Sequence, residues 1–323
     1  MLDQYKRQIE YMRISVTDRC NLRCRYCMPE TGIEWLPHED ILTYEEILQL
    51  MRISIQFGFK SFRITGGEPL VRKGIIDFIR QAVQLPGVED LMVTTNGLML
   101  PDMAFDLKAA GVNRINISLD SLEQLRYEEI TRGGQVERVI QGIFRSIEAG
   151  LSPVKVNCVV VRSFNLDELP RFVELAKRYP IHVRFIELMP IGISSDRRQD
   201  FVPIKEMKEI LGLKELDAST CVKGSGPAQA FIPDGFIGSV GFISALSRHF
   251  CHSCNRVRLT ADGKLRACLH SKHEVDLRSA MRSGLPDAEI AGLFASAVWN
   301  KPAQHHMNDQ VWQDRRIMSQ IGG

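Results

Sequence analysis

Six of the eight cysteines in this chain fall into two triads of different spacing. The first is Cys20-Asn21-Leu22-Arg23-Cys24-Arg25-Tyr26-Cys27, with an aromatic residue just before its third cysteine. The second is Cys251-His252-Ser253-Cys254, completed after thirteen intervening residues by Cys268. Three thiolates hold a 4Fe–4S cube and leave its fourth iron open to a small molecule, so two triads point to two clusters with separate ligands. Zinc is the competing chemistry. For the first triad it needs a fourth protein ligand, and the nearest histidine, His38, lies well beyond Cys27. For the second, His252 or His270 completes a Cys3His hairpin as readily as a cluster does, and spacing alone leaves both open. Cys158, in an apolar run, and Cys221, in a turn-rich stretch, read as ordinary thiols. His305 and His306 are adjacent, so they point apart on a regular element and read as structural.

Charges inside β-like runs form a second constellation. Arg256 and Arg258 alternate, which puts them on one strand face with Cys254. Arg13, Arg63, Lys155 and Arg184 sit in other such runs. Converging on one cavity, they suit a triphosphate, which arginine grips as a fork and lysine as a point charge. Thr65-Gly66-Gly67-Glu68-Pro69 offers backbone without a Cβ, able to lie close to a ligand.

From Arg13 to about Leu211 the chain alternates short β-branched runs with helical patterns, the signature of βα units around parallel strands. Strands are predicted at Arg13–Thr17, Ser61–Thr65, Leu91–Thr95, Arg114–Leu119, Val154–Val160 and His182–Leu188. The clearest helix opens with the capping box Thr43-Tyr44-Glu45-Glu46 and stops at Gly58. Others are predicted near Gly74–Gln84, Asp102–Ala110, Val136–Ala149, Leu166–Tyr179 and Pro203–Leu211. Six units are two short of a closed eight-stranded barrel, so the expected fold is α/β, an open six-unit (β/α)6 partial TIM barrel. Its strand ends are polar or glycine-rich at Thr65–Glu68, Thr94–Gly97, Ser118–Asp120 and Glu187–Met189, on the rim where the first triad follows the first strand. After about Leu216 the alternation is expected to end. An Asp262-Gly263 turn predicts a hairpin over 256–269 that returns Cys268 toward Cys254, giving a C-terminal second-cluster region. The expected division is residues 1–215 and 216–323.

With 323 residues, 44% hydrophobic and 25% charged, the composition is that of a globular protein. No apolar run approaches the roughly eighteen residues of a membrane span. Met1 to Arg13 carries Asp3, Lys6, Arg7 and Glu10 and lacks the apolar core of a secretory signal. The cytoplasm is therefore the expected compartment, where cysteines serve as metal ligands or free thiols rather than disulfides. A net charge of +2 argues against a protein devoted to nucleic acid.

Cys20–Cys27 with Met28-Pro29 resembles the signature of the radical S-adenosylmethionine superfamily. End to end, the chain resembles the GTP 3′,8-cyclase family of molybdenum cofactor biosynthesis. The likeness runs through Arg63–Pro69, Thr94–Gly97, Arg114–Asp120, Arg184–Met189, the second triad and the final Ile321-Gly322-Gly323. The resemblance implies two 4Fe–4S clusters on Cys20, Cys24, Cys27 and Cys251, Cys254, Cys268. It implies S-adenosylmethionine contacts at Gly67, Ser118 and Met189, with Tyr26 between cluster ligands. It implies GTP contacts at Arg13, Arg63, Thr94, Lys155, Arg184, Arg256 and Arg258. Catalytic importance is expected at Arg256, Arg258, Gly322 and Gly323, the tail reaching the active site. The implied reaction converts GTP to 3′,8-cyclo-7,8-dihydro-GTP. An external electron donor, a downstream cyclic pyranopterin monophosphate synthase and a homodimer are implied too, with no membrane or nucleic-acid partner. The rival readings are a radical peptide maturase with an auxiliary cluster and a zinc-ribbon binding protein.

Overall fold

The alternation of charged and apolar residues along each strand is what builds this molecule. A computed structural model describes residues 1–191, 194, 198–213, 226–307 and 316–322; Cys221 and Gly323 lie outside these. The first half runs β1 (Tyr11–Ser15), α1 (Tyr44–Gln56), β2 (Ser61–Thr65), α2 (Ile75–Val83), β3 (Asp90–Thr95), α3 (Leu100–Ala109), β4 (Arg114–Ser118), α4 (Gln124–Thr131) and α5 (Val136–Glu148). It continues with β5 (Val154–Val160), α6 (Leu169–Arg178), β6 (Ile181–Glu187) and α7 (Ile204–Ile210). Then come β7 (Gln229–Phe231), β8 (Ser239–Ile243), β9 (Arg256–Leu259), β10 (Lys264–Arg266), β11 (Val275–Asp276), α8 (Leu277–Arg282), α9 (Asp287–Trp299) and α10 (Met318–Ile321).

All strands belong to one sheet, in the order β11-β10-β9-β1-β2-β3-β4-β5-β6-β8-β7. From β9 to β8 every pairing is parallel, a run of eight strands. The antiparallel β10, β11 and β7 flank it. The six predicted units are present, and the strand–helix alternation ends after α7 among the described residues, but the parallel sheet does not. After α7 the chain returns as β8, parallel to β6, and β9 pairs with β1 on the other edge. The C-terminal residues thus extend the sheet at both edges. Gly238, just before β8, explains why that strand is easily missed. A Cβ there would meet the carbonyl oxygen of Ile181 at 2.0 Å and that of Tyr179 at 2.7 Å, so a residue of weak β-propensity marks a tight approach of backbones.

One sheet face carries Met12, Ile14, Phe62, Ile64, Val93, Ile115, Ile117, Val156 and Phe185, which are buried with helix residues such as Leu50, Phe78, Leu107, Val139 and Phe172. The other carries Tyr11, Arg13, Arg63, Thr94, Asn116, Asn157 and Arg184 around an interior cavity. Apolar burial against helices stabilises the first face, while the second encloses polar groups. α1 shows the predicted start: Thr43 accepts from the Glu46 amide, and the Glu46 carboxylate accepts from the Thr43 amide. No described helix is long and apolar enough to cross a membrane.

Candidate active site

Register places a row of arginines across the sheet. Arg13 on β1 stands beside Arg63 on β2 and Arg258 on β9, and Arg258 stands beside Arg266 on β10. Arg13, Arg63, Arg184, Arg256 and Arg258 line a cavity of about 320 Å³. No ion pair among the described residues engages any of these five. Arg63 donates to the hydroxyl of Tyr11 through Nε and to Thr94 Oγ1 at 3.1 Å. Burial, then the charge of Arg63, brings Arg184 down to about 9. Burial, then Arg256 and Arg266, does the same to Arg258. Buried Arg13 Nε, Asn116 Oδ1 and Asn157 Oδ1 have no hydrogen-bond partner among the described residues. An interior with unneutralised guanidinium groups and orphaned polar atoms is costly unless something polyanionic fills it. Lys155 is buried on the same face of β5 as Asn157, but it does not line the cavity.

All six triad cysteines line this cavity. Cys20, Cys24 and Cys27 follow the C-terminal end of β1. Cys251 and Cys254 precede β9, whose first residue, Arg256, pairs with Tyr11 at the opening of β1. The triads therefore stand at opposite ends of the parallel strands. Cys268 follows β10, whose antiparallel register with β9 sets Arg266 beside Arg258 and so carries Cys268 back toward Cys254.

The two sets differ in electrostatics. Burial pushes the Cys20 thiol up to about 11 and raises Cys24 and Cys27 as well. Burial also opposes the Cys254 thiolate, but Arg256 and Lys301 outweigh it and bring that thiol down to about 6. Among the described residues, no three His, Cys, Asp or Glu side chains are gathered as one bound metal ion would need. The donor chemistry fits iron–sulfur groups, with three soft sulfurs per set facing a shared void.

The first triad is held by its neighbours. Amides of Arg23 and Arg25 donate to carbonyls of Thr131 (3.0 Å) and Ile130 (2.9 Å) at the end of α4. Arg132 returns Nη1 to carbonyls of Arg23 and Met28. Gly66 and Gly67 serve the same loop: a Cβ on Gly67 would meet the Arg19 carbonyl oxygen at 2.3 Å, and one on Gly66 the Thr17 oxygen at 2.7 Å. Both glycines also line the cavity, as do Tyr26, Ser118 and Met189. Tyr26 donates to Asp120 Oδ2 at 2.5 Å, and burial pushes Asp120 up to about 6 despite that bond and one from the Val159 amide. Glu68, pushed up to about 7 by burial, accepts from Thr95 Oγ1 and the Asn96 amide.

Gly322 reaches the interior. Its carbonyl accepts from Arg258 Nη1 at 2.9 Å, and its backbone lies against Ser15 and Thr65. Ile321 is fully buried with Ile191 and Met307. His305 lines the cavity and donates to the Ala245 carbonyl through Nε2, stacking edge-on to His249 and His270. Glu68, Asp120, Tyr11, Arg132, Arg7 and Lys301 were not among the residues singled out by sequence. The first two stood in the quoted strand-end motifs, whereas the others carry no local signal.

Comparison with known proteins agrees with this geometry. Residues 14–176 match the model of the Radical SAM superfamily, and residues 181–307 match Molybdenum Cofactor Synthesis C. A GTP 3′,8-cyclase of Moorella thermoacetica is 50% identical over 324 residues, covering 100% of both chains. One of Heliobacterium modesticaldum is 51% identical over 328 residues, again covering 100% of both. Among solved structures, Streptococcus suis SuiB bound to S-adenosylmethionine superposes with a TM-score of 0.61 at 13% identity, over 90% of this chain and 68% of that one. That likeness concerns the fold alone.

Proposed function

This chain belongs to the family of GTP 3′,8-cyclases, and we propose from that premise how its own residues carry out the family's reaction. It is a radical S-adenosylmethionine enzyme that converts GTP to 3′,8-cyclo-7,8-dihydro-GTP, the first step toward molybdopterin. The observation that supports this most directly is one cavity lined by both cysteine triads and by five arginines without carboxylate partners among the described residues.

Cys20, Cys24 and Cys27 hold one 4Fe–4S cluster, and Cys251, Cys254 and Cys268 hold the other. Bound there, the first would supply the one-electron chemistry that S-adenosylmethionine cleavage needs, and the second would supply a Lewis-acidic site for the guanine ring. Tyr26, Gly67, Ser118 and Met189 border the S-adenosylmethionine end. Arg13, Arg63, Arg184, Arg256 and Arg258 bind the triphosphate by charge-assisted forks, Thr94 steadies Arg63, and Lys155 adds charge from the same face of the sheet. The Oδ1 atoms of Asn116 and Asn157 can accept from hydroxyl or amine groups of the bound nucleotides. Gly322 closes on the substrate from the side of Arg258, and Gly323, outside the described residues, is assigned to the same function. A cytoplasmic setting suits thiols kept reduced. An external donor would supply the electron, a cyclic pyranopterin monophosphate synthase would take the product, and the chain would pair as a homodimer.

The test is an anaerobic assay of the reconstituted enzyme with GTP and S-adenosylmethionine, the product identified by mass and fragmentation. A product isomeric with GTP and carrying the 3′,8 bond is expected. S-adenosylmethionine cleavage that GTP leaves unchanged, with no cyclised product, would sink the reading.

A further inference from the structure

Two buried cations that the reaction leaves unused stand behind the second cysteine triad. Lys301 follows α9 and is only 2% exposed. Its Nζ donates to the carbonyl of Arg256 at 2.8 Å and to that of Ala267. Arg256 lies two residues after Cys254, and Ala267 immediately precedes Cys268. One ammonium thus ties together the two strands that carry these cysteines.

Arg7 completes the set. Also buried, it pairs with Asp3 through Nε at 2.6 Å. Its Nη1 donates to the carbonyl of Cys251 at 2.8 Å and to that of Ala303 at 2.9 Å, and its Nη2 to that of Pro302 at 2.6 Å. Each cysteine of the triad is therefore fixed, at itself or within two residues, by one of two buried cations, and Arg7 also fixes the turn that presents Lys301. Arg7 has a carboxylate partner. Lys301 has none among the described residues, and an ammonium buried with carbonyls alone is costly. Lys301 lines the same cavity as Cys254 and Cys268, the triad members nearest in sequence to the carbonyls that it holds.

We propose that Lys301, held by Arg7, is the positioning residue of the second cluster. It sets the separation of Cys254 and Cys268, and its charge favours the cluster's reduced form. This rests on the two-cluster reading above.

The test compares full-length Lys301→Met and Lys301→Arg with the unaltered chain, all purified and reconstituted anaerobically. Iron content is measured, and each cluster is followed by electron paramagnetic resonance during a potentiometric titration. Lys301→Met is expected to lose about half of its iron by the two-cluster stoichiometry, or to keep the second cluster at a more negative potential, because removing a nearby positive charge disfavours the added electron. The first cluster's signal and potential are expected to stay as they are. Lys301→Arg, which keeps the charge, is expected to keep a potential close to that of the unaltered chain. A second cluster at unchanged potential in Lys301→Met overturns the proposal, as does loss of both clusters together in both variants. If the unaltered chain binds only about four irons, the two-cluster reading itself fails.

Discussion

The guanidinium of Arg258 donates to the carbonyl of Gly322, 2.9 Å away. Sixty-four positions separate the two, yet the contact lies inside the barrel, where Arg258 also stands in register with Arg13. One arginine thereby lines the cavity and holds the backbone of Gly322.

Arg256 and Arg258 should separate in their effects. Each alanine variant is expected to bind GTP about tenfold more weakly or worse, since a charge-assisted contact contributes about 1.5–3 kcal/mol. S-adenosylmethionine affinity should barely change. Arg258→Ala should also free the tail and cost more turnover than Arg256→Ala at saturating GTP. Calorimetric titration of the loaded, anaerobic enzyme checks affinity, and unaltered GTP binding in the double variant would return both residues to structural charges.

The triads should fail differently. Cys24→Ser removes one of the three anchors proposed for the first cluster and is expected to abolish S-adenosylmethionine cleavage. Cys254→Ser is expected to leave uncoupled cleavage while GTP conversion disappears. Parallel assays of 5′-deoxyadenosine and cyclised product decide this, and equal loss of both activities in both variants would contradict the division of labour.

Metal removal should expose an asymmetry between the thiols. In the chelator-stripped chain, Arg256 and Lys301 hold Cys254 down near 6 against the effect of burial, whereas burial holds Cys20 up near 11. The thiolate is the reactive form. Brief alkylation should therefore label Cys254 with a rate that rises through about pH 6 and then levels. Cys20 should stay unlabelled at neutral pH. Peptide mass analysis across pH reads this directly, and Arg256→Ala should move the Cys254 profile to higher pH.

Two glycines should respond oppositely to alanine. At Gly238 the new Cβ would fall 2.0 Å from a carbonyl oxygen of the adjoining strand, and such overpacking costs about 1–3 kcal/mol or more. Gly292 lies within α9 with nothing in the way of a Cβ, so its alanine variant should gain up to about 1 kcal/mol in helix propensity. Denaturant midpoints of the two variants test the contrast.

Most of the barrel was legible because the interior charges interrupt otherwise β-branched runs at every second position. Arg13, Arg63, Asn116, Asn157 and Arg184 show that alternation, and the strands around them lie within two residues of the predicted bounds. The capping box at Thr43 fixed the start of α1 for a local reason. α4 was missed because it presents little apolar periodicity: only Tyr127, Ile130 and Thr131 are buried. Its role in holding the first cysteine loop comes from backbone carbonyls, which any residue type offers. Lys301 and Arg7 were illegible for the same reason. Apart from Asp3, which pairs with Arg7 four positions on, their partners are carbonyl groups 34 to 296 positions away, and no side-chain spacing encodes such contacts. Gly66 and Gly67 were recognised as a close approach, but the backbone that approaches them is the 17–19 segment as well as the cavity.

The last residues of the sequence should matter far more than mobile ends usually do. Ile321 is fully buried beside Ile191 and Met307, which anchors the segment, and Gly322 then turns into the interior. Its φ of +80° lies in the left-handed region that glycine adopts without strain. A Cβ there would come within 3.1 Å of Ser15 Cβ and 3.3 Å of Thr65 Cγ2, so a larger residue would be both strained and crowded. These contacts are at the C-terminal ends of β1 and β2, beside the first cysteine loop, while the carbonyl is held by Arg258 from the substrate wall. Gly322 thus bridges the two sides of the cavity without offering a reactive side chain, and the contribution proposed for it is to position the bound nucleotide. Deleting Gly322 and Gly323 is expected to leave both clusters and GTP binding largely intact, to preserve S-adenosylmethionine cleavage, and to block formation of the cyclised product. A synthetic peptide ending in Ile-Gly-Gly should restore part of the activity, because positioning does not require a covalent link. Gly322→Val should behave like the deletion, and the peptide should not rescue it, since the altered tail still occupies the site. Full cyclase activity in the truncated enzyme, measured by product mass under saturating GTP, would reduce the contact between Arg258 and Gly322 to a docking of the chain end.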